Sequence, residues 1–425
     1  MRKAYQKKRS QRSRISIKEE GVQLTLDPSD LLREMQEGLH QFAVNLGLEV
    51  VTLFMAQEIE QLCGKRYGRP EEREATRHGS QPGVITIGGQ KMSIDRPRAR
   101  SSQGKGEVAL KTYEMAQRDE AMPNAVLKRM VRGVSCRDYQ GVIDLASEGF
   151  GVKRSSVSRQ FQTASKEKIR ELCERTFDQE RIAVIFIDGV GFADTTMITA
   201  LGMTDDGRKR VLGFREGGTE NSLVCKALLA DLVERGLDSS KPVLFVIDGA
   251  KALRKAITEV WGDLAVVQRC RAHKKRNVQA HVPERHWPEV ERMLDTAWHQ
   301  VDHAKALKKL QTLAAYLELV SPDAAGSLRE GMEETITVIK LRLDPGLSVH
   351  LHTTNPIENL FSVARKTTNR VKRWRDGQMK SRWCAAALLH AENGFRRIKG
   401  FRHMPQLIAA LDAHVTRLSK QRKSA

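Results

Sequence analysis

Hydrophobic positions divide the chain into a largely helical first part and a second part that begins with buried strands. In residues 29–63 apolar residues recur every three or four positions, which predicts two helices ending at Gly64. In residues 82–114 apolar residues alternate on both sides of Gly88-Gly89, which predicts a short β-hairpin. Helical spacing returns near Ala121.

Two continuous apolar runs, IAVIFID and VLFVID, predict strands that are buried on both faces. Between them, TTMITALGM and KRVLGF flank the turn Asp205-Asp206-Gly207 and predict an antiparallel hairpin, followed by a helix over residues 219–235. A helix over 251–261, a short strand AVVQRC and an almost wholly helical stretch over 271–343 come next. This order of elements predicts an α/β fold.

Both buried runs end in Asp followed by Gly, at Asp188 and Asp248. A buried strand cannot carry a charged carboxylate along its length, so an Asp at its carboxyl end faces solvent or a ligand. Two neighbouring carboxylates repel each other unless a cation lies between them, and Mg²⁺ prefers such oxygen ligands. Both aspartates are therefore candidate metal ligands. The alternative is that each one begins a turn or caps the next helix.

A third candidate ligand is Glu358, in TTNPIENLF. With Asn355 as N-cap and Pro356 as the first helical residue, Glu358 is the third helical residue and completes a capping box. The same position points the carboxylate outward near the amino end of the helix, within reach of a metal held by two strand-end aspartates. The residues alone leave cap and ligand open.

Composition indicates the kind of partner. Lys and Arg number 72 against 52 Asp and Glu, so the formal net charge of +20 attracts a polyanion such as nucleic acid. No run approaches the roughly 20 apolar residues of a membrane-spanning helix, and the basic start lacks the apolar core of a signal peptide. Six scattered cysteines are typical of a reducing compartment. We expect a cytoplasmic protein whose residues 1–28 form a basic disordered tail.

A first basic segment lies in residues 135–161. It predicts a helix, a break at Glu148-Gly149-Phe150-Gly151 and a second helix, as in a helix-turn-helix whose second helix enters the major groove. An ordinary helical hairpin with a solvated face is the alternative. The candidate DNA-binding residues here are Lys153, Arg154, Ser156 and Arg159.

A second basic segment, RKTTNRVKRWRDGQMKSR, follows the helix of Glu358. Its position favours contact with the DNA backbone beside the candidate site, although a solvated helix face, or a core position for the tryptophan, is the alternative. Its candidate DNA-binding residues are Arg365, Lys366, Arg370, Lys372, Arg373, Trp374 and Arg375.

Cys270 and His273, in CRAH, have the spacing of half a zinc site. Two ligands do not make a structural zinc site, and His350 with His352 is a weak candidate for the other half. Packing near the candidate active site is therefore favoured over a zinc centre.

Five ordered motifs, FIDG, VIDGAKAL, QRCRAHKKRNV, TTNPIENLFS and KRWRDGQM, together resemble the mutator-type transposases of bacterial insertion sequences. The resemblance covers about half the chain and is looser between Gly64 and Gln117. It implies a DDE transposase with an RNase H-like catalytic core interrupted by an all-helical insertion domain, and a helical N-terminal DNA-binding region. Asp188, Asp248 and Glu358 then take the catalytic and metal-binding positions, with two Mg²⁺ or Mn²⁺ ions per active site, and Cys270 with His273 is a family motif.

The resemblance also implies an organisation and partners. Residues 1–28 are the tail, 29–117 an N-terminal helical region with a short hairpin, and 118–178 the helix-turn-helix-like region. Residues 179–270 are the first part of the core, 271–345 the insertion, 346–402 the second part, and 403–425 a C-terminal helix with a basic tail. The expected partners are double-stranded DNA, as terminal inverted repeats and target, and further copies of the chain, at least a dimer on DNA, in a nucleoid-associated bacterial protein.

Two other functions stay open at this point. One is an RNase H-like nuclease that cuts without joining. The other is a transposase-derived DNA-binding regulator that no longer cuts.

Overall fold

The computed structural model describes residues 14–18, 21–25, 39–68, 73–87, 90–102, 104, 106–117, 121–134, 149–150, 154–192, 194–369, 371 and 373–423. The chain divides into two units, Met1–Ala164 and Ser165–Ala425. Among the helices described, none has the length and apolar character needed to cross a bilayer.

The first unit combines strands and helices. In chain order its elements are β1 (Arg14–Lys18), β2 (Gly21–Thr25), α1 (Leu39–Cys63), β3 (Ala75–Ile87), β4 (Gln90–Ser101), β5 (Glu107–Val108), α2 (Lys111–Gln117), α3 (Ala121–Val131), β6 (Gly149–Phe150) and the start of α4 (Arg154–Cys173). Strands β3 and β4 pair antiparallel, and β5 and β6 both pair with β4. Met55 and Ile59 of α1 are buried together with Ile85, Met92 and Ile94 of this sheet.

The predicted hairpin is confirmed, but its strands are 13 and 12 residues long rather than short. The sequence around the register shift between Arg77 and Ser80 is polar. It therefore lacks the alternation of apolar and polar residues from which a longer strand could have been predicted. The predicted break between two helices is wrong for residues 39–63, which form one continuous helix. Gly47 lies inside that helix, and a Cβ added there would be in ordinary van der Waals contact with the Ile87 side chain, at 3.5 Å. The preceding residues 29–38 lie outside the described residues.

Two further predictions fall partly outside the described residues. Strands β1 and β2 pair antiparallel, which differs from the disordered tail expected for residues 1–28. In the predicted helix-turn-helix, residues 135–148 and 151–153 are not described, which includes Lys153. The two residues Gly149-Phe150 of the predicted break pair with β4, and α4 begins at Arg154.

The second unit is organised around a five-stranded mixed sheet. Its strands are β7 (Ile182–Phe192), β8 (Thr195–Thr204), β9 (Lys209–Glu216), β10 (Val243–Ile247) and β11 (Ala265–Arg269), in the spatial order β11-β10-β7-β8-β9. The first three form antiparallel hairpins, whereas β10 and β11 run parallel to β7. All five predicted strands are present, which confirms a mixed α/β protein.

Helices account for most of the rest of the second unit. They are α5 (Ser222–Glu234), α6 (Lys251–Trp261), α7 (Arg271–Gln279), α8 (Trp287–Trp298), α9 (His303–Val320), α10 (Pro322–Arg329), α11 (Thr337–Lys340), α12 (Pro345–Ser348), α13 (Asn355–Thr368), α14 (Gly377–Glu392) and α15 (Met404–Lys423). Helices α7 to α10 share a separate apolar core that includes Leu294, Leu313 and Leu328. The helical stretch predicted after β11 is therefore present, broken into short helices.

The two faces of the sheet are covered by different helices. Ile185 and Ile187 of β7 are buried in one cluster with Leu228 of α5 and Leu253 of α6. Because side chains alternate along a strand, Asp188 faces the opposite side. Helix α13 packs against β7 and α14 against β9, so these two helices cover the face to which Asp188 belongs.

Three buried cations join β11 and α7 to the helices that follow. The Arg269 side chain donates to the Glu330 carbonyl (2.8 Å), and Arg271 Nε donates to the Thr335 carbonyl (2.9 Å). Lys274, fully buried, donates to the carbonyls of Ser327 and Glu330, and burial lowers its pKa to about 8. These side chains satisfy carbonyl groups at helix ends, which would otherwise lack partners.

Candidate active site

The register of the sheet brings the two predicted aspartates side by side. In the parallel ladder of β7 and β10 the last pair is Ile187 with Ile247, so Asp188 and Asp248 each follow the same rung. Neighbouring strands lie about 4.8 Å apart. The prediction that Asp188 ends its strand is wrong, because β7 continues to Phe192 by pairing with β8.

Each aspartate also makes the turn contact that its position favours. One carboxylate oxygen of Asp188 accepts from the Gly189 N–H (2.8 Å), and one of Asp248 accepts from the Ala250 N–H (2.9 Å). These bonds fix the orientation of both carboxylates. The turn alternative and the site alternative are therefore compatible, since a carboxylate has a second oxygen.

Gly249 is required by the turn after Asp248. Its φ is +104°, and a Cβ there would overlap the guanidinium of Arg269, a residue that is buried. Only glycine adopts this conformation without strain. The position of Asp248 thus depends on β11 as well as on its own strand.

Glu358 lies in the first turn of α13, but the predicted capping box is wrong. The N-cap residue is Thr354, not Asn355, and no side chain caps this helix end. Instead the Thr354 hydroxyl donates to Glu358 Oε1 (3.0 Å). Ligand atoms of Glu358, Asp188 and His273 all lie within 4.8 Å of one another, and all three residues are half-buried. Side chains more than 80 positions apart in the sequence are therefore close neighbours in the structure.

The pKa of the Asp188 carboxyl reflects its burial and the acidic side chains nearby. Burial raises its pKa to about 6, and the negative charges of Asp248 and Glu358 act in the same direction. The Gly189 N–H and His273 oppose the shift without cancelling it. The ionised form of Asp188 is therefore only partly compensated by the Gly189 N–H and by His273.

Cys270 and His273 form a hydrogen bond with each other, and His273 belongs to the cluster with Asp188 and Glu358. Hydrogen bonding to Cys270 raises the pKa of His273, and the charge of Asp188 raises it further. Burial by itself raises the pKa of the Cys270 thiol, but hydrogen bonds from His273 and Thr354 outweigh it and lower that pKa. The Thr354 N–H lies 3.4 Å from Cys270 Sγ. The sequence did not single out Thr354, which is fully buried and contacts Glu358, Cys270 and His273.

This set of side chains fits a divalent cation. A carboxyl whose pKa is raised by burial and by two neighbouring carboxylates is stabilised in its charged form when a cation binds. Oxygen ligands from aspartate and glutamate are those that Mg²⁺ and Mn²⁺ accept. Asp248 and His273 line a cleft of about 420 Å³, together with side chains that include Glu220, Lys251, Arg269 and Asn277, so this side of the site is open to solvent.

The basic segment after Glu358 divides into exposed and packed positions. Arg365, Lys366, Arg373 and Arg375 are exposed. Arg370 and Lys372 lie outside the described residues. The Trp374 ring is 5.0 Å from that of Phe192 and 6.5 Å from that of Trp383, which is 6% exposed. This packing favours the core alternative for Trp374, while its basic neighbours point to solvent. In α4, Arg159 is exposed.

A mixed sheet that presents clustered carboxylates able to hold a divalent cation defines an α/β protein with a candidate metal-dependent active site. A family model described as "Transposase, Mutator family" matches residues 22–397. The chain belongs to this family of transposases.

Curated relatives agree with the family. The transposase for insertion sequence element ISRM5 of Rhizobium meliloti (strain 1021) is 28% identical over 369 residues, covering 83% of this chain and 87% of that protein. The transposase for insertion sequence element IS6120 of Mycolicibacterium smegmatis is 25% identical over 249 residues, covering 57% of this chain and 75% of that protein. The transposase for insertion sequence element IS256 in transposon Tn4001 of Staphylococcus aureus is 26% identical over 242 residues, covering 54% and 59%.

Proposed function

We propose that this chain is a DDE transposase that binds the terminal inverted repeats of an insertion sequence and catalyses metal-dependent cleavage and transfer of DNA strands. The observations that carry the proposal are that Asp188 and Asp248 follow the same rung of neighbouring strands, and that ligand atoms of Glu358, Asp188 and His273 lie within 4.8 Å of one another. Family membership supports the transposase class.

In this proposal Asp188, Asp248 and Glu358 would hold two Mg²⁺ or Mn²⁺ ions, which would stabilise the charge on the attacking and leaving oxygens at one phosphate. Asp188 and Asp248 orient their carboxylates through the backbone N–H groups of Gly189 and Ala250. Thr354 orients Glu358. In the first step the oxygen of water forms a bond to the phosphorus at an element end as the P–O3' bond breaks, which yields a 3'-hydroxyl and a 5'-phosphate. In the second step that hydroxyl attacks a target phosphodiester, so one P–O bond forms as another breaks.

We further propose that the five-stranded sheet is an RNase H-like core. The order of its strands, with three antiparallel strands followed by two parallel ones, supports this. The helices between β11 and α13 then form the insertion domain, supported by their separate apolar core. Such an enzyme must hold two DNA ends, so at least a dimer is expected on DNA.

The proposal is tested with purified protein, DNA carrying the terminal repeats of its own element, and Mg²⁺. Wild type is expected to nick this DNA only when the metal is present, and to join a precut 3'-hydroxyl end to target DNA. Glu358→Gln keeps the size of the side chain and its contact with Thr354 but removes the charge, so cleavage and joining should fall on the order of 10²–10³-fold or more.

The outcomes separate the functions that the sequence leaves open. Cleavage without joining of the precut end would indicate a nuclease. Specific end binding with no Mg²⁺-dependent cleavage by wild type would indicate a regulator. Undiminished cleavage by Glu358→Gln would remove this residue from the active site.

We propose that the exposed arginines after α13 contact the DNA backbone. Replacing both Arg373 and Arg375 by Ala is expected to weaken binding to all DNA sequences alike and to reduce the slope of log K against log salt by about 2. Fluorescence anisotropy at several salt concentrations measures this slope. Lys308→Ala with Lys309→Ala removes the same charge from the exposed surface of α9 and is the matched control. Equal slopes for both double variants would refute a specific contact.

A further inference from the structure

Thr199, in the centre of β8, has a buried hydroxyl that the described structure leaves without a hydrogen-bond partner. The residue is fully buried, and its Oγ1 is one of seven buried side-chain polar atoms without a partner among the described residues. A buried hydroxyl that makes no hydrogen bond is unfavourable, because it has lost its contacts with water. A valine would fill nearly the same space without that cost. The hydroxyl would no longer be unsatisfied if it gained a hydrogen-bond partner when a ligand occupies the candidate active site.

The pairing of the sheet indicates where that partner would lie. Thr199 is directly opposite Asp188 in the antiparallel ladder of β7 and β8. Directly opposite residues point to the same face, with Cβ atoms about 4.5–5.5 Å apart. On its other side Thr199 is opposite Phe214, which offers no polar group. Of its two opposite neighbours, only Asp188 can take part in a hydrogen bond.

The Asp188 carboxylate itself is incompletely satisfied. One of its oxygens accepts from the Gly189 N–H, and its charge is opposed by burial and by two neighbouring carboxylates. A cation held by Asp188, Asp248 and Glu358 would favour the ionised form and fix its orientation. A hydroxyl across the ladder is placed to hydrogen bond that fixed, charged carboxylate, directly or through one water.

We propose that Thr199 is a positioning residue of the cation site, whose hydroxyl acquires its hydrogen bond to the Asp188 carboxylate when a divalent cation binds. This inference rests on the proposed function, because it assumes that Asp188 is a ligand. By this inference β8 contributes a side chain to the site, in addition to β7, β10 and α13, which position the three carboxylates.

Two substitutions test it on the full-length protein, without DNA. Thr199→Val removes the hydroxyl and keeps the shape, whereas Thr199→Ser keeps the hydroxyl. Calorimetric titration with Mn²⁺ should show about 10- to 100-fold weaker binding for Thr199→Val, the range of a single hydrogen bond to a charged group, and near wild-type binding for Thr199→Ser. In the presence of a chelator, Thr199→Val should unfold at the same temperature as wild type or a higher one.

The two readouts distinguish positioning from a structural role. If Thr199→Val binds Mn²⁺ as tightly as wild type, the inference is wrong. If it unfolds at a lower temperature in chelator, the hydroxyl already has a partner in the metal-free protein, and the inference is equally wrong. Asp188→Asn, titrated in parallel, separates this result from the proposed function. Unchanged Mn²⁺ binding by Asp188→Asn would refute the metal site itself, whereas loss in Asp188→Asn with none in Thr199→Val would refute only the part of Thr199.

Discussion

Asp188→Asn is expected to reduce Mg²⁺-dependent cleavage of element-end DNA on the order of 10²–10³-fold or more while leaving end binding close to wild type. The amide is nearly the same size as the carboxylate and can still accept from the Gly189 N–H, so the fold of β7 is retained. It carries no charge with which to hold a cation. Cleavage gels and anisotropy with the same DNA measure the two effects, and wild-type cleavage would exclude Asp188 as a ligand.

The same substitution is expected to stabilise the metal-free protein at neutral pH. The pKa of Asp188 is about 6 in the folded protein, against an ordinary value of 3.8. Because the folded pKa is the higher one, protonation favours the folded state fully below about pH 4, and that contribution is lost as the pH rises through 6. At pH 7.5 wild type therefore carries the cost of an ionised Asp188, and the variant should be more stable by roughly 1–3 kcal/mol.

Urea unfolding in a chelator from pH 4 to 8 checks this expectation. The difference between variant and wild type should be largest above pH 6 and shrink towards pH 4. Asp205→Asn, which makes the same change in the exposed turn after β8, is the matched control for the loss of one carboxylate. A difference that does not change with pH would contradict the raised pKa of Asp188.

Gly249→Ala is expected to destabilise the protein by about 2–4 kcal/mol and to abolish metal-dependent cleavage. The backbone at this position has φ +104°, and the added methyl group would overlap the Arg269 guanidinium. Arg269 cannot move freely, because it donates to the Glu330 carbonyl (2.8 Å). Relief of the overlap must therefore shift the turn, and Asp248 moves with it.

Gly326→Ala provides the matched control for this substitution. Gly326 is an exposed helical residue of α10 with no atom within 4 Å of an added Cβ. Alanine there should raise the free energy of unfolding by about 0.5–1 kcal/mol. Chemical unfolding and Mn²⁺ titration of both variants measure the contrast. If Gly249→Ala were as stable as wild type, the close approach of Arg269 to this turn would be excluded.

Patterns in the sequence do not reveal which segments pack together. Two helices were predicted over residues 29–63, yet residues 39–63 form one helix, α1, which packs against the sheet of β3 and β4. The Lys and Arg of QRCRAHKKRNV have the composition of a solvated helix face. In the fold Arg271 and Lys274 are buried, and they donate to backbone carbonyls 53 to 64 positions away in the chain. Helix propensity and charge pattern depend on residues that are close in sequence, whereas these contacts are made with segments that are distant in sequence.

The five strands of the sheet, the helices around them and the two Asp-Gly turns follow from the sequence alone. Apolar runs and turn residues are local signals, and a strand buried on both faces needs an uninterrupted apolar run wherever it lies in the sheet. The ambiguity of Glu358 between helix cap and ligand could not be resolved in this way. Its side chain meets Thr354, Asp188 and His273 because α13 packs against β7, a contact between segments about 170 residues apart. The pairing of Thr199 with Asp188 and the place of Arg269 against Gly249 are likewise properties of register and packing, which only the tertiary structure decides.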